Sequence, residues 1–268
     1  MTTRSLSPAL RAGAKVLRRA LLQVVALLSL ALTCAHAPPL SAAPPLRLMP
    51  LGDSITAATD GQASYRYWLW HLLRQGGYTV EFVGSQAGVY QGTPKSPDFD
   101  PHHEGHWGWT ADAVLARLEQ WARAAQPDVV LCHLGTNDLF AGESVPSTVA
   151  EVGQIVEALR RANPRVTILL AQLIPAHYGQ DPLQAFNRAL PALAAEKTSR
   201  VSPVLVVDQW SGFDPHRDTY DGLHPNEAGE KKMAQQWYQA LHRLWPDTRG
   251  ERPVLLALAP VAELYSGG

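Results

Sequence analysis

Leu46-Arg47-Leu48-Met49-Pro50-Leu51-Gly52-Asp53-Ser54-Ile55-Thr56 is a short apolar run that ends in a glycine–aspartate–serine turn. The run is nearly continuous in apolar residues, the pattern of a strand covered on both faces. Four similar runs follow: Thr79 to Val83, Asp128 to His133, Val166 to Leu170 and Val204 to Val207. Between them lie stretches with helical spacing, about 64–75, 110–125, 147–162, 184–198 and 227–244. Val114, Leu115, Leu118 and Trp121, for instance, form an apolar stripe at three- and four-residue steps. This alternation predicts an α/β fold with a five-stranded parallel sheet between two helix layers. The pattern fills residues 46–245 as one domain without internal repeats.

In open sheets of this kind, ligands sit at the carboxyl ends of the strands. Ser54 follows the first run, Asn137 the third, and Asp221 and His224 the fifth, so the topology predicts that their loops share one edge. A serine hydroxyl becomes a useful nucleophile only when a base takes its proton and a third group holds that base. Asp221-Gly222-Leu223-His224-Pro225 offers both: His224 as base, and Asp221 to accept from the far imidazole nitrogen. Each residue also has a plainer reading. Gly-Asp-Ser is common turn chemistry, Asp221 precedes a turn glycine, and Pro225 biases His224 toward extended geometry. The three together point to an esterase.

Acyl transfer also needs donors aimed at the tetrahedral oxyanion. Gly135-Thr136-Asn137-Asp138 offers the Asn137 amide, although Asn also tolerates a left-handed turn. In His103-Glu104-Gly105-His106-Trp107-Gly108-Trp109-Thr110, Gly108 leaves its backbone N–H approachable, or simply turns the chain before a helix. Asp53 and Asp138 read as loop-fixing acceptors. The cluster His102, His103, Glu104 and His106 carries zinc-type ligands, but its spacing is not His-Glu-x-x-His on a helix, and no metal is expected. The first strand–helix turn lacks Gly-x-Gly-x-x-Gly, which disfavours a dinucleotide cofactor; none is expected.

The chain has 268 residues, 46% apolar and 18% charged, with a formal net charge of -1. Such neutrality, without a long basic run in the body, excludes nucleic acid as the main partner and favours a neutral substrate. At the N-terminus, Arg4, Arg11, Lys15, Arg18 and Arg19 precede the apolar run Ala20 to Leu32, and Ala35-His36-Ala37 follows. That order predicts an export signal over residues 1–37, because the run is shorter than the roughly 20 residues that span a bilayer. Arg18-Arg19 leaves a twin-arginine route open, while Ala31-Leu32-Thr33 is a poor lipobox for Cys34. Residues 38–45 read as a Pro/Ala-rich spacer, and the tail 246–268 has no place in the core scheme. Without the leader one cysteine remains, Cys132, inside an apolar run and best read as core.

Taken in order, Gly52-Asp53-Ser54-Ile55-Thr56, Gly108, Gly135-Thr136-Asn137-Asp138 and Asp221-Gly222-Leu223-His224-Pro225 resemble the four sequence blocks of SGNH (GDSL-like) hydrolases. The resemblance spans about residues 46–245. It is most similar to carbohydrate esterase family three, which includes acetyl xylan esterases, through Met49-Pro50-Leu51, Ser64-Tyr65-Arg66, Phe82-Val83-Gly84-Ser85 and His103 to Trp109. It implies a flavodoxin-like three-layer fold, the triad Ser54, Asp221 and His224, and an oxyanion hole of Ser54 N–H, Gly108 N–H and Asn137. Ile55 replaces a frequent leucine, and Trp107 stands where a small serine is frequent, so Trp107 and Trp109 are the candidate sugar contacts. The expectation is a secreted or periplasmic serine esterase that removes O-acetyl groups from a polysaccharide or oligosaccharide, without a membrane partner once the leader is removed. A lysophospholipase or general short-chain acyl esterase is the second reading, and a non-catalytic carbohydrate-binding protein the third.

Overall fold

The computed structural model describes residues 44–246, so the predicted leader, most of the spacer and nearly all of the tail lie outside the described residues. In chain order the elements are β1 (Leu46–Gly52), α1 (Ser54–Ala57), α2 (Ser64–Gln75), β2 (Val80–Phe82), β3 (Gln86–Ala87), β4 (His102–Gly105), α3 (Ala111–Ala125) and β5 (Val129–His133). They continue with α4 (Thr136–Phe140), α5 (Val145–Ala162), β6 (Thr167–Ala171), α6 (Gln180–Lys197), β7 (Val204–Val207), α7 (Pro215–Asp218) and α8 (Glu227–Leu244). The five expected strands pair in parallel in the order β2-β1-β5-β6-β7, the flavodoxin-like winding.

The sheet also holds two strands that the apolar pattern did not predict. β4 pairs in parallel with Leu51 and Gly52 of β1, beyond the point where β2 stops at Leu48. β3 then pairs antiparallel with β4 at the edge. His102-His103-Glu104-Gly105 has no apolar run to advertise a strand, yet its last three residues are buried. Its polar side chains are satisfied locally, so burial here follows from hydrogen bonding and not from hydrophobicity.

Strand alternation feeds two cores. Leu48, Val129, Leu131 and Leu169 face Tyr65, Leu69 and Leu73 of α2 and Met233 and Trp237 of α8. Met49, Leu51, Val130, Cys132 and Leu170 face Val114 and Leu118 of α3, Ile155 of α5 and Leu190 of α6. Cys132 is in that core at 2% exposure, and burial pushes its thiol up to about 12.

The turn that carries Ser54 is held from below by a charge. Arg66 is fully buried. Its guanidinium donates to the carbonyls of Thr56 at 2.9 Å, Ala57 at 3.1 Å and Pro101 at 2.9 Å, and to that of Gly88. Two of these are the last carbonyls of α1, which a one-turn helix cannot satisfy itself. Glu230 of α8 accepts from Ser64 N–H at 2.8 Å and Trp68 Nε1–H at 3.1 Å, joining the two helices of that layer. Arg66→Met would leave four carbonyls without their donor and should cost roughly 3–5 kcal/mol. Urea unfolding measures it; a loss below about 1 kcal/mol would show that the guanidinium is not the clamp.

Candidate active site

β1 ends at Gly52, where a Cβ would come within 2.5 Å of the His133 carbonyl and 2.3 Å of Thr56 Oγ1, so only glycine lets the turn fold back this tightly. Asp53 caps α1, its Oδ1 accepting the Ile55 N–H at 2.9 Å, and Ser54 is left as the first helical residue. The loop after β7 arrives from the other end of the chain. Asp221 Oδ1 accepts the N–H groups of Leu223 at 3.0 Å and His224 at 2.7 Å, which winds the loop around the carboxylate. Asp221 Oδ2 is 2.7 Å from His224 Nδ1, and His224 Nε2 is 2.9 Å from Ser54 Oγ. Three side chains spread over 170 residues therefore form one hydrogen-bonded line. Burial acts to raise the Asp221 carboxyl, but the hydrogen bonds from the His224 side chain and from two backbone N–H groups outweigh it and hold it below the usual range.

Gly108 lies in the loop after β4 at φ +75°, exposed, with open space where a Cβ would be. Among the described residues, neither its N–H nor that of Ser54 donates to a protein acceptor. Asn137, in the first turn of α4, uses one amide hydrogen on the Trp109 carbonyl at 2.8 Å. The amide has a second donor hydrogen. Ser54, Gly108, Asn137, Asp221 and His224 thus come from loops that follow β1, β4, β5 and β7, all at the carboxyl edge of the sheet.

The sequence profile of the GDSL-like Lipase/Acylhydrolase family matches residues 51–232, more than half of the chain. The chain belongs to that family. This GDSL-like hydrolase is similar to the solved structure of a carbohydrate esterase family 3 protein from Talaromyces cellulolyticus, with 32% identity and a TM-score of 0.68 over 74% of this chain and 97% of that one. It is 27% identical over 225 residues to a multidomain esterase of Ruminococcus flavefaciens, covering 75% of this chain and 29% of that protein. It is 31% identical over 127 residues to thioesterase 1/protease 1/lysophospholipase L1 of Escherichia coli, covering 47% of this chain and 60% of that protein. The chain therefore spans less than two thirds of the length of these two curated relatives. Family membership makes residues 51–232 a hydrolase domain of the carboxylic-ester class.

His224 of this GDSL-like hydrolase sits in an aromatic ladder that the sequence did not announce. Trp107 stacks on His224 at 4.9 Å and 15°, Tyr220 stacks on His224 at 5.8 Å and 15°, and Tyr90 stacks on Trp107 at 5.1 Å and 13°. The indole of Trp107 is thus engaged by protein rings. Trp109 stacks on His106 at 4.6 Å, and Arg117 lies 4.8 Å over its ring. Both tryptophans also line a cavity of about 200 Å³ with Tyr90, Gln86 and His103. The histidine cluster flagged for zinc is occupied in hydrogen bonds: His106 Nε2 lies 2.7 Å from Glu104 Oε1, Glu104 accepts from Ser85, and His103 Nδ1 accepts the Gly105 N–H. Tyr220 directly precedes the Asp221 motif and Tyr90 lies far from any motif, but no spacing along the chain shows that either ring stacks in this ladder.

If the ladder fixes the imidazole plane, Trp107→Ala should lower kcat/KM about tenfold on 4-nitrophenyl acetate, which has no sugar to stack, and Trp107→Phe should keep most of the rate. An unchanged rate on that ester with Trp107→Ala would leave Trp107 a substrate contact alone.

Asp53 carries a second consequence. It is 1% exposed and its Oδ2 has no hydrogen-bond partner. Burial pushes it up to about 7, the Ile55 N–H opposes that rise and Asp138 adds to it. The folded protein holds a proton that an unfolded carboxyl with its ordinary value of 3.8 gives up. Stability from this group is therefore full below about pH 4 and is lost as pH rises through about 7. Asp53→Asn, which keeps the capping oxygen, should match wild type in thermal unfolding near pH 4 and exceed it by roughly 2–4 kcal/mol at pH 8. Equal stability of the two proteins at both pH values would contradict the assignment.

Proposed function

We propose that this protein is a secreted or periplasmic serine esterase that removes O-acetyl groups from a polysaccharide or oligosaccharide. The single observation that carries the chemistry is the hydrogen-bonded line from Asp221 through His224 to Ser54. Ser54 Oγ attacks the ester carbonyl while His224 Nε2 takes its proton, and the imidazolium is held by Asp221. Ser54 N–H, Gly108 N–H and the Asn137 amide stabilise the oxyanion. His224 then protonates the departing sugar hydroxyl, and water repeats the sequence on the acyl-enzyme.

One comparison supports a sugar ester as substrate. The solved structure at 32% identity is a carbohydrate esterase family 3 protein. The basic, apolar N-terminal segment supports export, which suits a polymer substrate that stays outside the cell.

Purified protein should release acetate from acetylated xylan and hydrolyse 4-nitrophenyl acetate far faster than the octanoate. Ser54→Ala should lose about 10³-fold or more in kcat, and Asn137→Ala about 10²–10³-fold with little change in KM. Octanoate hydrolysed as fast as acetate would favour the lysophospholipase-type reading, and Ser54→Ala with wild-type rates would refute the triad.

A further inference from the structure

Four large apolar side chains stand exposed among the described residues, and three of them are tyrosines at the carboxyl edge of the sheet: Tyr90, Tyr178 and Tyr220. Tyr90 and Tyr220 belong to the ladder on His224, whereas Tyr178, 56% exposed, stands apart in the loop after β6. That loop is pinned on both sides. The His177 N–H donates to the Gly222 carbonyl at 2.8 Å, between Asp221 and His224. The His177 ring stacks on His216 of α7 at 4.1 Å and 27°. The Tyr178 ring packs at 5.1 Å on Phe140, one turn beyond Asn137 in α4. A Cβ at Gly179, where φ is +66°, would come within 2.6 Å of Phe140 Cε1, so glycine lets the loop close down on that ring. The Gln180 side chain then donates back to the Ala176 carbonyl. A ring held in place yet open to solvent loses little freedom when a ligand covers it.

Position along the edge gives this ring its role. The strand order β4-β1-β5-β6 sets the loops of Ser54 and Asn137 between the Trp107–Trp109 loop on one side and the Tyr178 loop on the other. β4 and β6 are three strand spacings apart, about 14 Å. The β4 side holds the cavity of about 200 Å³ lined by Gln86, Tyr90, Trp107 and Trp109. We propose that Tyr178 is a specificity-determining residue, a platform for one sugar ring of a glycan chain that runs across Ser54, with the acetylated ring between Tyr178 and that cavity. This rests on the esterase reading above and narrows its substrate to acetylated residues inside a chain. A phenol offers its apolar face to the C–H face of a pyranose and a hydroxyl at its rim. A lipid chain would need a continuous apolar groove, whereas Tyr178 is flanked by the exposed imidazoles of His177 and His216.

The test compares the full-chain wild type with Tyr178→Ala and Tyr178→Phe on acetylated xylohexaose, acetylated xylose and 4-nitrophenyl acetate. Wild type should show a kcat/KM at least about tenfold higher on the acetylated hexaose than on acetylated xylose. Tyr178→Ala should lose about three- to tenfold on the hexaose relative to its change on 4-nitrophenyl acetate, through KM more than kcat. Tyr178→Phe, which keeps the ring, should stay within about twofold of wild type on the hexaose. An equal loss on the hexaose and on 4-nitrophenyl acetate in Tyr178→Ala would make Tyr178 a structural residue and overturn the proposal. Equal wild-type kcat/KM on acetylated xylose and the hexaose would overturn it too, while leaving a sugar esterase in place. Hydrolysis of 4-nitrophenyl acetate with no acetate from either sugar would instead remove the sugar-ester reading, and this inference with it. The wild-type comparison decides whether or not Tyr178→Ala folds.

Discussion

Four backbone carbonyls converge on one buried guanidinium, and the turn that carries Ser54 is built on top of it. Arg66 is fully buried, with burial pulling its guanidinium down to about 10, and it reaches Thr56, Ala57, Gly88 and Pro101 at once. Its geometry matters as much as its charge, because a planar fork serves several acceptors where a lysine ammonium is a single point. The carbonyls belong to the end of α1, to the segment after β3 and to the approach to β4. Removing this hub would free the three segments that surround Ser54. A buried charge is a costly way to hold a loop, and its persistence is explained by how many otherwise orphaned acceptors it satisfies.

Two buried acids at the same sheet edge carry the other sign. Asp53 precedes Ser54 and Asp138 follows Asn137, and both are fully or nearly fully buried. Each spends one oxygen on a backbone N–H, Ile55 for Asp53 and Ala111 for Asp138, and burial holds both above the ordinary carboxylate range. These residues shape loops by accepting from the backbone, the role expected of them from sequence. The second oxygen of Asp53 has no partner, whereas Asp138 also shares a side-chain hydrogen bond with Glu151. The hydrogen-bonded line from Asp221 to Ser54 is less buried: the Asp221 side chain is 41% exposed and that of His224 is 16% exposed.

Where sequence periodicity was strong, the fold was legible. The five apolar runs appear as β1, β2, β5, β6 and β7, and the five helical stretches as α2, α3, α5, α6 and α8, with ends displaced by a few residues. Burial on both faces makes such strands read as uninterrupted apolar segments. β4 escaped because its buried members are His103, Glu104 and Gly105, satisfied by hydrogen bonds. The one-turn helices α1, α4 and α7 are too short for a period to show. Residues 1–43 and 247–268, where the export signal and the tail were read, lie outside the described residues.

By itself the sequence determined the parallel α/β sheet, the strand ends at which Ser54, Asn137 and His224 had to lie, and the residue types fit for acyl transfer. It did so because strand and helix periods are local, and because loops after parallel strands emerge on one edge. Tertiary structure alone decided the distances: Ser54 to His224 across 170 residues, Asn137 to the Trp109 carbonyl, and the rings of Trp107 and Tyr220 against His224. Such contacts are set by the packing of whole elements against each other, and no spacing along the chain encodes which side chains will then meet.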